Sequence, residues 1–186
     1  MEIIFLLMAA LSIIAYVICI VIIIDVIKMQ LFKIAPTLPS RKVMRKAILA
    51  EIRKIRPDAK TVIDIGSGLG GMAMLIAREF PKSNVAGVEF KILPFCFSWI
   101  IRFFRGPKNC RFIFGDATRF IKDKKFDIAV CYSGPWLMHA IEPYRNNFNI
   151  LLSLDFPLPN TKPAQTIMLH KDSLGQHRIY VYERKA

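Results

Sequence analysis

The chain has 186 residues, 54% of them hydrophobic, a mean hydropathy of +0.37 and a formal net charge of +13. Cys19, Cys96, Cys110 and Cys131 form no CxxC pair or zinc spacing, and His139, His170 and His177 do not join them at ligand spacing. No metal site is therefore expected, and a reducing compartment is.

Residues Ile3 to Ile24 carry no charge and are almost entirely Ile, Leu, Val, Ala, Met and Phe. As a helix the stretch would measure about 33 Å, against roughly 30 Å for the hydrocarbon core of a bilayer. A cleaved signal peptide is the alternative, but it calls for a basic start, a shorter apolar core and a small-x-small cleavage site. This chain starts Met1-Glu2 and has none of these. Residues 1–27 are therefore read as a single-pass transmembrane anchor. Only Glu2 flanks it on one side, whereas Lys28, Lys33, Arg41, Lys42, Arg45, Lys46, Arg53, Lys54, Arg56 and Lys60 follow on the other. Positive residues stay inside, which puts the main domain on the cytoplasmic side. The same clustering assigns the net charge to lipid headgroups rather than nucleic acid. No aromatic-interleaved basic motif of an RNA-binding sheet is present.

Residues 28–39 read as a basic linker punctuated by Pro36 and Pro39, and residues 40–186 as one domain large enough to bury a core. Ser40 is a plausible N-cap of an amphipathic helix reaching about Arg56, with Val43, Met44, Ala47, Ile48, Leu49, Ile52 and Ile55 on its apolar face. Strands are expected at about 61–65, 84–89, 111–114, 126–131 and 150–154. Helices are expected at about 70–80, 93–104 and 136–148. Two strand-like runs, 166–170 and 178–183, close the chain around a glycine-containing turn. Alternating strands and helices with short links predict an α/β fold: a parallel Rossmann-like sheet with helices on both faces and an antiparallel edge. The aromatic set Phe95, Phe97, Trp99, Phe103 and Phe104 reads as core. Its excess is also suited to a bilayer interface or an apolar substrate.

The run from Thr61 to Gly71, TVIDIGSGLGG, is the most informative segment. A β-branched strand enters a glycine loop, and a helix follows whose free N–H groups favour a ligand. Gly66, Gly68 and Gly71 satisfy the dinucleotide spacing, and Glu89 stands near the distance of a ribose-binding acid. Asp64, two positions before the first glycine, and Asp116, in Gly115-Asp116-Ala117 after the third strand, point elsewhere. A carboxylate beside the loop repels a pyrophosphate and suits a ligand with an ammonium, a ribose diol and an adenine.

Residues 61–71, Glu89 and Asp116 resemble the motifs of class I S-adenosylmethionine-dependent methyltransferases. The resemblance implies S-adenosylmethionine as cofactor and a binding set of Ser40, Asp64, Gly66, Ser67, Gly68, Gly70, Glu89, Asp116 and Ala117. In it the glycines pass under methionine and ribose, Asp64 serves the amino group, Glu89 the ribose and Asp116 the adenine. The apolar amino-terminal segment, Leu38-Pro39-Ser40, Val88-Glu89-Phe90 with Pro94, and Ser133 to Met138 narrow it further, as do Phe156 to Pro159 and Ile179 to Glu183. They are similar to membrane-anchored lysine methyltransferases, a family that includes mitochondrial enzymes acting on the ATP synthase c subunit and the adenine nucleotide translocase. The long link from Glu89 to Pro94, and Asp155 before Phe156-Pro157, depart from that pattern and leave the acceptor open.

Each acid also has a structural reading: Asp64 as a cap of the loop, Glu89 as a solvated acid, Asp116 as the N-cap of a short helix. Tyr132 and Ser133 after the fourth strand, and Asp155 and Phe156 after the fifth, are candidate walls of an acceptor pocket. Tyr132 and Asp155 are the catalytic candidates, Asp155 as an orienter or proton acceptor. The function expected is N-methylation of a lysine in a membrane-associated protein. Methylation of a lipid or quinone, an NAD-binding reductase and a non-catalytic cofactor-binding membrane protein are the alternatives.

Overall fold

The computed structural model describes residues 2–32, 42–172 and 175–184. It divides into two units, Met1–Pro36 and Thr37–Ala186. In the first, α1 (Glu2–Phe32) is one continuous helix whose segment Glu2–Ile24 is long and apolar enough to cross a membrane. An apolar helix near the amino terminus passes that test whether it is an anchor or a signal sequence. The helix runs through the first five residues of the stretch read as linker. Lys28, Met29, Gln30 and Leu31 are all good helix formers, so nothing in the sequence stops it there. Ser40 and most of the expected linker lie outside the described residues.

The second unit opens with α2 (Lys42–Ile55), then β1 (Thr61–Ile65), α3 (Gly71–Glu79), β2 (Asn84–Glu89) and α4 (Ile92–Arg105). There follow β3 (Cys110–Phe114), α5 (Ala117–Ile121), β4 (Phe126–Cys131) and α6 (Pro135–Ile141). A 3-10 turn (Glu142–Asn147) leads to β5 (Phe148–Leu154), and β6 (Gln165–Asp172) and β7 (Gly175–Glu183) end the fold. The strands form one seven-stranded sheet ordered β3-β2-β1-β4-β5-β7-β6. The first five are parallel, and β7 lies antiparallel between β5 and β6. The order reverses between β1 and β4, and ligands of such sheets sit beyond the carboxyl ends of the strands at that crevice.

Both faces of the sheet are covered, as its near-continuous hydrophobic strands require. On one face Met44, Ile48, Leu49 and Ile52 of α2 and Met72, Ala73, Ile76 and Ala77 of α3 pack on Val62, Ile128, Val130 and Leu152. On the other, Ile121 of α5 and Leu137, Met138 and Ile141 of α6 pack on Ile63, Ile65, Ala129 and Leu151.

Three expectations change. Val43 is exposed on α2 rather than part of its buried stripe, which is narrower than the sequence suggests. The helix expected over 136–148 stops at Ile141, and β5 starts early, at Phe148. Pro143 explains this: it has no N–H for the carbonyl of His139, and its ring clashes with that carbonyl in an α-helix. The aromatic residues of α4 are not core. Phe97, Trp99, Phe103 and Phe104 are exposed, Phe95 is half-buried, and Ser98 is the helix's one buried residue. The helix lies beside the edge strand β3 with its small residue inward, so the bulky positions wrap the remaining sides.

Candidate functional site

The glycine loop is built by alternation. Gly66, Gly68 and Gly70 have φ of 71°, 54° and 77°, a conformation that side chains with a Cβ rarely adopt. The N–H groups of Gly66 and Ser67 both donate to the carbonyl of Val88 at 3.0 Å, tying the loop to β2. Gly70 has a second constraint: a Cβ there would lie 2.4 Å from Cζ of Phe112 and 2.8 Å from Cβ of Ser98. Gly87, in the middle of β2, meets the same ring, at 2.6 Å from Cε1. The Phe112 ring thus fills a slot that only two glycines leave open.

Asp64 and Glu89 are both buried at the loop. Oδ2 of Asp64 accepts the N–H of Ala73, in the first turn of α3, at 3.1 Å, which satisfies one of the free donors of that helix. Burial pushes its pKa up to about 7; the Ala73 N–H opposes the rise, the Glu89 charge adds to it and Arg45 opposes it. Glu89 accepts the N–H of Gly68 at Oε2, at 2.7 Å, and those of Phe90 and Lys91 at Oε1, at 3.1 and 2.9 Å. Burial raises its pKa as well, against the opposing N–H groups of Lys91 and Gly68 and the nearby Lys91 charge. The acids are therefore framework as well as candidate ligand contacts.

Asp116 follows β3 and caps α5, accepting the N–H of Thr118 at 2.8 Å and its hydroxyl at 2.7 Å. Half of its side-chain surface remains exposed, and Ala117 beside it is buried. Ser67 is buried in the loop, and its Oγ has no hydrogen-bond partner, which matters because such groups are rarely left unmatched. Ser133 and Leu137 approach Gly66: a Cβ at Gly66 would meet Leu137 at 3.4 Å and Ser133 at 3.9 Å. The segment after β4 thus closes over the first glycine.

Asp64, the loop and Glu89 come together in one hydrogen-bonded corner, with Asp116 at the next strand end. Tyr132 follows β4, half-buried against the core. Asp155 is engaged elsewhere. Its Oδ2 lies 2.8 Å from Nδ1 of His177, its Oδ1 accepts the N–H of Arg178 at 2.9 Å, and its own N–H donates to the Arg178 carbonyl. Its φ of 62° makes it the one described non-glycine residue with positive φ. Among the described residues no three His, Cys, Asp or Glu side chains could share a metal ion. The sequence reading missed Gly87, Phe112 and Arg45. A lone glycine inside a β-branched strand marks a close approach, and Gly87 carried that signal.

Residues 58–141 match a family model whose description reads "Putative methyltransferase". Over 60 residues the chain is 33% identical to the release factor glutamine methyltransferase of Aliivibrio fischeri, which is 32% of this chain and 21% of that one. The chain therefore spans about a fifth of that curated relative. A solved RNA methyltransferase from Salinibacter ruber, in complex with S-adenosyl-L-homocysteine, superposes with a TM-score of 0.62 at 17% identity, covering 79% of this chain and 94% of that one. Precorrin-6y C5,15-methyltransferase from Geobacter metallireducens gives 0.63 at 14% identity, covering 81% and 93%. At these identities the likeness defines the fold, which is the Rossmann-like fold of class I S-adenosylmethionine-dependent methyltransferases.

Proposed function

We propose that the chain is an S-adenosylmethionine-dependent methyltransferase held at a membrane by α1, its domain on the cytoplasmic side, with a lysine of a membrane-associated protein as acceptor. The observation that carries the cofactor reading is the glycine loop flanked by Asp64, Glu89 and Asp116 at the ends of β1, β2 and β3. The residues fit the group: Ser67 offers a buried hydroxyl in need of a partner, and the loop turns without side chains at its glycines. Two neighbouring buried carboxylates disfavour the pyrophosphate of a dinucleotide.

When bound, S-adenosylmethionine supplies a methyl group on a sulfonium, so positioning of the acceptor carries much of the catalysis. Asp64, whose pKa burial raises to about 7, would be held in its charged form by the ammonium of the methionine end. Glu89 keeps acceptor capacity for a ribose diol beyond its three backbone donors, because a carboxylate has about four lone-pair sites. An acceptor lysine has to arrive neutral, which a desolvated approach past Tyr132 and Ser133 favours. The lysine reading rests on the resemblance of the segments after β4 and β5 to membrane-anchored lysine methyltransferases. The basic residues that follow α1 support the cytoplasmic side.

Thermal unfolding of the full chain with S-adenosylhomocysteine or NADH tests the cofactor. At about a hundred times Kd a ligand adds roughly 2.7 kcal/mol, a readily measured rise in Tm. Stabilisation by NADH alone would overturn the proposal. Radiolabelled methyl donor and enzyme added to membranes from cells lacking the protein tests the acceptor. Label is expected in protein, on lysine; label confined to solvent-extractable material would refute a protein acceptor.

A further inference from the structure

The least expected surface in the second unit is α4. Between Glu89 and Asp116, residues 90–115 contain eight aromatic residues, five basic residues (Lys91, Arg102, Arg105, Lys108 and Arg111) and no acid. In the fold Lys91 is buried and Phe112 fills the slot at the glycine loop, but most of the aromatic residues of α4 are turned outward. Phe103 and Phe104 are 65% and 75% exposed, and Phe97, Trp99 and Ile100 are about half exposed. Phe114 of the edge strand is half exposed, and its ring stands 5.4 Å from that of Phe95. The rings also pack on one another, Trp99 on Phe103 at 5.7 Å and Phe103 on Phe104 at 5.2 Å, so three exposed rings form one packed cluster. Contiguous apolar surface rimmed by charge marks an interaction site.

We infer that α4 and the end of β3 form a docking face for an anionic lipid bilayer, with α4 lying in the plane of the interface. Charge and chemistry select this occupant. Aromatic side chains with arginines at one end, and no acid, make an interfacial helix: the rings enter the acyl boundary while the cations meet headgroup phosphates. A second copy is disfavoured, because isologous pairing of this face sets Arg102, Arg105 and Lys108 against the same three cations with no acid in the segment to offset them. The chain also carries an apolar segment with the length to cross a bilayer, which makes a lipid surface a partner of stated chemistry.

The face bears on the candidate site through the opposite side of the same helix. Ser98, fully buried, is the α4 residue that approaches the glycine loop: a Cβ at Gly70 would lie 2.8 Å from its own. Seating α4 on a bilayer therefore bears directly on the wall of the cofactor loop. A membrane-borne acceptor would then approach the sheet edge from a fixed direction.

The inference deepens the membrane reading of α1, and the test separates the two. Trp99 and Trp136 are the only tryptophans, so full-length W136F reports on α4 alone. It is reconstituted in vesicles of phosphatidylcholine and phosphatidylglycerol whose acyl chains carry bromine, a contact quencher. Trp99 is expected to lose about half or more of its emission, because an interfacial helix sits about 5–10 Å into the headgroup and acyl boundary. F103S/F104S in the same background, both sites being exposed, is expected to restore most of that emission with the fold unchanged by circular dichroism. Vesicle-bound protein with unquenched Trp99 would overturn the α4 inference and leave the α1 anchor standing. Protein that stays off the vesicles would overturn both. Trp99 shielded without lipid, with sedimentation that depends on protein concentration, would assign the face to a second copy and overturn the lipid assignment.

Discussion

Oε2 of Glu89 accepts the backbone N–H of Gly68 at 2.7 Å, so the acid at the end of β2 holds the middle of the glycine loop in shape. The same carboxylate takes two more N–H groups, from Phe90 and Lys91. A glutamine has one acceptor oxygen and turns an NH2 toward at least one of these donors. E89Q is therefore expected to weaken S-adenosylhomocysteine binding by at least about tenfold and to destabilise the fold by roughly 1–3 kcal/mol. Calorimetric titration and urea unfolding measure the two effects. Affinity left unchanged would remove Glu89 from the binding set.

Asp64 makes the opposite prediction for stability. Its folded pKa, about 7, stands above the ordinary value of 3.8, so the folded state holds a proton that the unfolded state releases. Stability from this group is complete below about pH 4 and is lost as pH rises through 7. D64N keeps an oxygen for the Ala73 N–H and removes the cost of ionisation. The variant should match the wild type near pH 4 and exceed it by roughly 2–4 kcal/mol at pH 8. Its affinity for S-adenosylhomocysteine should fall, since the ammonium loses its counter-charge. A stability difference that does not change with pH would show that Asp64 ionises freely in the folded protein.

The parts of the fold legible in the sequence were those set by local chemistry. β1, β2 and β4 run over the expected residues because β-branched runs bounded by glycine or charge leave little choice. The loop acids were legible as a set because strand ends carry them to one edge. What escaped was set by partners distant in sequence. Nothing near Asp155 announces that its carboxylate turns to His177 and Arg178, 22 and 23 residues on. Nothing near Phe97 or Phe104 says that α4 flanks an edge strand, where apolar residues find no layer to enter. Pro143 was a local signal, and it should have ended the helix.

The Phe112 slot gives a packing test. Adding a methyl at Gly87 places it 2.6 Å from the ring, inside a sheet that cannot yield. G87A should cost about 2–3 kcal/mol, the upper range for overpacking. F112L alone should cost about 1 kcal/mol, and the double variant should recover at least half of the G87A loss. Additive losses in urea unfolding would place the strain somewhere other than the ring.

The last prediction concerns Asp155, whose position after β5 suits a proton acceptor and whose bonds suit a clasp. Its φ of 62° is a conformation that Asp and Asn tolerate better than alanine. D155N keeps that backbone and an oxygen for the Arg178 N–H, and loses only the charge facing His177. D155A loses both bonds and strains the backbone. The clasp predicts about 2–3 kcal/mol of destabilisation for D155A and under about 1.5 for D155N. It also predicts a kcat for D155N within a few-fold of wild type and an unshifted pH profile. A proton acceptor would cost about a hundredfold or more in kcat and move the acidic limb of that profile. A folded, stable D155N with that loss would return Asp155 to the catalytic group and leave the β5–β7 clasp incidental.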